Sequence, residues 1–167
     1  MIREVEALLE RASDLYLAYD FEGALREARR VLAMEPGNGE ALDLCARCLQ
    51  ELGSLEEAET HARSAIACAP ESADYLANLG DILHDAGRLD EAVEVFRLAL
   101  TLLVPQTEFR RPGIASSLAE CLADVGQYEE ALGLLKDSLE VSRGSELEEH
   151  LAQVQDEILA RREKCRR

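Results

Sequence analysis

Tryptophan is absent from this chain of 167 residues, and aromatic side chains of every kind make up only 4% of it. A chain so poor in rings, and dominated by Ala, Leu, Glu and Arg, favours helix over sheet because those side chains lose little freedom on a helix. Lysine is nearly absent too, occurring only as Lys136 and Lys164, so arginine carries the positive charge. Acidic residues outnumber basic ones 34 to 18, a formal charge of -16. A surface of that sign repels phosphate backbones and anionic lipid, so neither nucleic acid nor membrane is an expected partner. No apolar run approaches the ~18 residues of a membrane span. The opening MIREVEALLE, with Arg3, Glu4 and Glu6, does not read as a secretory leader. Five cysteines, Cys45, Cys48, Cys68, Cys121 and Cys165, form an odd set without the density of a disulfide scaffold. Free thiols and a cytoplasmic location are the expectation. The hydrophobic content of 47% is enough for a buried core and excludes a wholly disordered chain.

What the chain does contain is an internal echo. Residues 42–70 align with 76–104 at an offset of 34 residues, pairing Leu42 with Leu76, Ala46 with Gly80, Leu49 with Leu83, Gly53 with Gly87, Ala58 with Ala92 and Ala65 with Ala99. One step back, Leu8, Ala12, Leu15, Phe21, Ala24 and Pro36 fall in register. One step forward, after five extra residues, come Leu118, Ala119, Leu122, Gly126, Tyr128, Ala131 and Leu139. A period of ~34 residues is the signature of a helix–turn–helix array.

The third copy carries the pattern most fully. Leu76, Leu79, Gly80 and Leu83, followed by Ala92, Phe96 and Ala99, resemble the tetratricopeptide repeat. Leucine stands where that family has its leading Trp and later Tyr, Tyr19 replaces the turn glycine of the first copy, and the closing proline is missing from the third and fourth. The resemblance implies an all-α, right-handed α-solenoid of antiparallel helix pairs: one domain over 1–167, with repeats at about 5–38, 39–72, 73–106 and 112–145 and a capping helix at about 145–164. The small residues are then clearance, since two helices approach closely only where side chains are short.

Helices are expected over about 2–17, 21–34, 38–51, 55–68, 72–85, 89–103, 112–125 and 128–141. A ninth follows, opened by a capping box of Ser145 and Glu148 and striped with Leu147, Leu151, Val154 and Ile158, suited to covering the open end of a stack. Pro105 and Pro112 mark a longer loop in LLVPQTEFRRPG, with Phe109 either an exposed anchor or folded back onto helix ends.

Chemistry is thin. Cys45, Cys48, His61 and Cys68 have a superficial metal spacing, but Cys45, Cys48 and Cys121 align with inward positions and read as small core residues. His84 lies between Asp81 and Asp85 without a nucleophile or phosphate loop, and reads as a solvated group. Neither cofactor nor catalysis is expected. The family resemblance instead places the first helix of each pair on a binding face. That face would carry Leu9, Ser13, Tyr16 and Leu17 from the first copy and Asp43, Arg47, Gln50 and Glu51 from the second. Asn78, Asp81, His84 and Asp85 follow from the third, and Ser116, Glu120 and Asp124 from the fourth.

Some members of the family clamp a partner's C-terminal carboxylate with Lys, Arg and Asn. Only Arg47 and Asn78 could serve here, among carboxylates that oppose an anion, so the expected ligand is a protein or peptide segment with basic residues and an apolar anchor. Two other readings stand beside this one: acids line any face of a chain at -16, and an acid excess also suits high salt. Tyr16 and Leu17 could equally be covered by the N-terminal residues or by a second copy. The tail, with Arg161, Arg162, Lys164, Arg166 and Arg167 against Glu163, offers a self-association element for a neighbour's acidic groove, or simply favourable charge at a helix C-terminus. The function read from the sequence is a noncatalytic interaction scaffold or adaptor, the alternatives being a small secretion or assembly chaperone and a regulatory subunit of an enzyme complex.

Overall fold

The computed structural model describes residues 2–103 and 110–165, and within them every regular element is an α-helix. In order these are α1 Ile2–Leu17, α2 Phe21–Met34, α3 Gly39–Glu51, α4 Leu55–Cys68, α5 Ala73–Asp85, α6 Leu89–Thr101, α7 Arg111–Asp124, α8 Tyr128–Val141 and α9 Glu146–Cys165. The expected ends agree to within a residue, apart from α6, which stops at Thr101 instead of 103. Pro105 and Phe109 of the long loop lie outside the described residues. Pro112 belongs to the first turn of α7, where its missing N–H leaves no helical bond unmade.

The chain divides into two compact units, Met1–Ala86 and Gly87–Arg167. In the first, each helix packs on the next from α1 to α5, and the first helices of successive pairs also meet, α1 with α3 and α3 with α5. In the second, α6 packs on α7 and α7 on α8, while α9 lies against both α7 and α8. The small residues sit where the repeat requires them. Ala12, Ala24, Ala46 and Ala58 in the first unit, and Ala119 and Ala131 in the second, have 0% exposure. Larger residues flank them. Leu79 and Leu83 are buried in the first unit and Phe96, Leu118 and Leu135 in the second, each contributing about 1.5–3 kcal/mol by leaving water.

The turns inside the pairs α1–α2, α3–α4 and α7–α8 share one construction. At the end of α1 the Asp20 N–H reaches back to the Leu15 carbonyl at 2.9 Å, at the end of α3 Ser54 reaches Leu49 at 2.8 Å, and at the end of α7 Gln127 reaches Leu122 at 2.7 Å. This six-residue closure needs a left-handed residue just before the donor. Gly53 (φ 77) and Gly126 (φ 83) supply it with no β-carbon to clash, whereas in the first turn Tyr19 is forced to φ 63. Asp20 both closes α1 through its backbone and opens α2, its carboxylate accepting from the Gly23 N–H at 2.9 Å.

Helix α9 buries Leu151, Val154 and Ile158 as expected of a capping helix. Its start differs from the capping box. The Ser145 hydroxyl donates to the Ser142 carbonyl at 2.6 Å, and the Glu148 carboxylate accepts from Gly144 N–H at 2.6 Å. Gly144, at φ 79, turns its own N–H toward Glu148, and the hydroxyl satisfies a carbonyl at the end of α8 instead.

The left-handed turns yield a prediction of opposite signs. Tyr19→Gly should raise stability by ~0.5–1 kcal/mol in a denaturant titration, and Gly53→Ala should lower it by about 1 kcal/mol. A Tyr19→Gly protein less stable than wild type would show that the ring's contact with Phe21, 6.1 Å between centroids, outweighs backbone strain.

Candidate partner-binding face

The face assigned from the repeat lies on α1, α3 and α5, which carry all the expected contact residues except Ser116, Glu120 and Asp124. Side-chain bonds cross from each of these helices to the next. Tyr16 donates its hydroxyl to Glu51 at 3.3 Å, and Gln50 donates its amide to Asp85 at 2.6 Å. Both pairs are 35 residues apart, one period plus one residue. Tyr16 and Gln50 occupy equivalent repeat positions, as do Glu51 and Asp85, so one donor-to-carboxylate rung is built twice. A third bond of the same span runs nearer the N-terminal ends, from the Asn78 amide to Asp43 at 2.7 Å. Arg47 lies over Tyr16, its guanidinium carbon 4.2 Å from the ring centroid, in cation–π contact.

Asp43 is the unusual group. Half-buried, it has its carboxyl pushed up to about 6, chiefly by burial; the Asn78 hydrogen bond and Arg47 pull the other way, and Asp74 and Glu40 add to the rise. Glu40 and Asp74 stand at the same place in successive repeats, and both were passed over in the sequence reading although the alignment shows the coincidence. Burial also raises the Tyr16 hydroxyl, against Arg47.

The remaining expected residues are distributed unevenly. Leu17 is 73% exposed at the end of α1. Leu9 is only half-buried but packs on buried Val5, Leu8, Val31 and Ala41, which makes it an edge of the core. Asp81 and His84 lie half-buried on α5. Glu120 and Asp124 lie on α7 in the second unit, where Asp124 accepts from Arg161 of α9 at 2.6 Å. Ser116, expected on the face, is instead buried at 3% exposure. Arg162 pairs with Glu129 at 3.1 Å, so the two arginines that begin the basic tail are held by acids of their own unit; Arg166 and Arg167 lie outside the described residues.

The thiols at Cys45 and Cys48 are buried at 0% exposure, and burial pushes them up to about 12 and about 11. Neither ionises near neutrality. Among the described residues no cluster of His, Cys, Asp and Glu is arranged to hold a metal, and no helix is long and apolar enough to cross a membrane.

Helical hairpins in series, with a ladder of polar side chains along their first helices, define a helical-repeat scaffold. The chain belongs to the tetratricopeptide repeat family, whose models match residues 9–73, 46–105 and 115–156. Among solved structures, pilF of Pseudomonas aeruginosa is similar at a TM-score of 0.83 and 18% identity, over 97% of this chain and 70% of that one. A MamA protein matches at 0.66 and 16%, over 98% of this chain and 91% of that one. An O-GlcNAc transferase mutant from Thermobaculum terrenum is 27% identical with a TM-score of 0.75 over 84% of this chain. The present chain spans only 26% of that enzyme. The first two likenesses bear on fold alone. Family membership makes the coarse function that of a protein–protein interaction scaffold.

The shifted carboxyl gives a pH prediction. A folded-state pKa above the ordinary 3.8 means that the native protein binds the Asp43 proton more tightly than the unfolded chain does. The resulting stability is present in full below pH ~4, is lost as pH rises to ~6, and changes no further above that. Asp43→Asn, which can still accept from Asn78, should flatten that slope and stabilise the protein at pH 7 by ~1–2 kcal/mol in urea titrations at pH 4 and 7.

Proposed function

We infer that this protein is a noncatalytic adaptor whose first-helix face holds an extended or helical segment of a partner protein, basic at one or more positions and carrying an apolar anchor. The carrying observation is Asp43, a half-buried carboxylate with a raised pKa, flanked by Glu40 and Asp74. Such a group is poorly solvated when ionised even with Asn78 and Arg47 beside it, and a lysine or arginine of a ligand would stabilise its charge. Asp81, Glu51 and Asp85 continue the negative field toward the C-terminal ends of α3 and α5, and Glu120 and Asp124 belong to the same proposal from the second unit. Tyr16 and Leu17, with Leu9 behind them, offer the apolar contact. Arg47 and Gln50 position Tyr16 and Asp85, while Asn78 aims Asp43, and His84 adds a further polar edge. Free thiols in odd number suit a reducing, cytoplasmic setting.

A second reading, a subunit or segment that serves an enzyme, draws support from the likeness to part of a glycosyl-transferring enzyme's chain. A small assembly or secretion chaperone would use the same face in the same way.

The test is fluorescence anisotropy with labelled ~12-residue peptides carrying two Lys or Arg around a Leu or Phe, set against peptides of inverted charge. The basic peptides should bind, with affinity rising as pH passes through ~6 and falling in high salt. Asp43→Lys with Asp85→Lys should weaken binding at least ~tenfold, and Asp43→Asn should remove the pH dependence. Equal binding of both peptide classes by wild type, or unchanged binding by the charge-reversed variant, would falsify the acidic-face reading.

A further inference from the structure

Two surface features remain once the first-helix face is assigned. One is a knob: Leu17 and Tyr19 project at 73% and 82% exposure beside the turn between α1 and α2. Tyr19 keeps a ring at φ 63, where the matching turns use Gly53 and Gly126. Its side chain adds little buried surface to offset the strained backbone, and strain retained at an exposed position points to a role outside packing.

The other feature is a pocket in the second unit. Leu100 of α6, Pro112 and Ala115 of α7, and Leu134 and Val141 of α8 wall a cavity of about 150 Å³, which Arg111 and Asp137 also line. A cavity of roughly that volume in an apolar core admits one benzene ring. Charge matches as well as size. Around the knob Asp14, Asp20 and Glu22 are joined by Glu51, which accepts from Tyr16, and Arg47 on the Tyr16 ring offsets only one of these charges. The pocket-building segments 110–115 and 134–143 contain Arg110, Arg111, Lys136 and Arg143 against Asp137 and Glu140, a basic excess in a chain at -16.

We propose that the protein self-associates head to tail, the Tyr19 ring of one copy, with Leu17 beside it, entering the pocket between α6, α7 and α8 of a second copy. Knob and pocket are different patches, so the contact is heterologous and each dimer retains one unused knob and one unused pocket for growth. Opposite charges around them set the approach. This contact is independent of the basic-segment reading except that both engage Leu17, so the test uses Tyr19 and Val141, which lie outside that face.

Sedimentation velocity of the full chain at low salt, up to ~1 mM, should show average mass rising with concentration, and less so in high salt. Tyr19→Gly should weaken the association at least ~tenfold while the thermal midpoint holds or rises, which separates loss of the ring from loss of fold. Val141→Glu, at a position 75% exposed, should weaken it similarly by setting a negative charge against Asp20 and Glu22. Each variant alone should assemble at least ~tenfold more weakly than wild type, but a mixture should give 1:1 dimers at wild-type affinity and nothing larger at that concentration, since one keeps its pocket and the other its knob. A monomeric wild type, a Tyr19→Gly protein that assembles normally, or a mixture that fails to pair overturns the proposal. Failure of the basic peptides to bind the wild type, with assembly intact, would count against the acidic face only.

Discussion

Close approach of paired helices is the constraint from which the rest follows. Two helices joined by a short turn reach the near end of the ~8–10 Å interaxial range only where the contact line carries small side chains, and Ala12, Ala24, Ala46 and Ala58 meet that condition in the first unit. With that spacing set, the backbone inside a pair must reverse sharply, which brings the left-handed residue and the six-residue closure seen at the ends of α1, α3 and α7. The reversal sends alternate helices in one direction, and α1, α3 and α5 then lie as neighbours with side chains in repeating register.

That register turns a polar face into a ladder. Tyr16 to Glu51 and Gln50 to Asp85 are one interaction repeated, a donor on one helix and a carboxylate one period plus one residue further along. Each rung is exposed and individually weak. Together they tie Glu51 and Asp85 to donors on the preceding first helices, which gives the carboxylates above α3 and α5 a repeating arrangement. Asp43 differs because it is recessed: its partner Asn78 is neutral, and its nearest charged neighbours include Glu40 and Asp74 as well as Arg47. Recognition of a cation would concentrate at that point.

Most of the fold was legible in the sequence because each requirement of the hairpin leaves a residue type at a fixed interval. Alanine recurs at the contact, glycine at the turn and leucine on the inward stripe, and these fixed the helix ends to within a residue almost everywhere. Even the exception was visible, since Tyr19 stood out as the missing glycine. Site details were less so. The rungs depend on rotamers, which a periodic pattern does not encode, and Leu9 and Ser116 show that an alignment position does not decide whether a side chain lies on the surface or at the core edge. Ser145 and Glu148 had the spacing of a capping box, but the left-handed Gly144 redirected the bond by one residue. Asp124 read as a groove acid, and its ion pair with Arg161 depends on where α9 docks, which local sequence does not specify.

The recurrence of the rung also bears on how such a chain can lengthen. Copying the 34-residue block that holds Gln50 and Glu51 places a new donor opposite an existing carboxylate and a new carboxylate opposite an existing donor, because that block carries both halves of the bond. In-phase tandem duplication of that repeat therefore extends the polar ladder without leaving a stranded hydrogen-bonding group, whereas an insertion out of phase inside a helix breaks every rung it crosses. Growth by whole modules is thus favoured by the side chains as well as by the backbone.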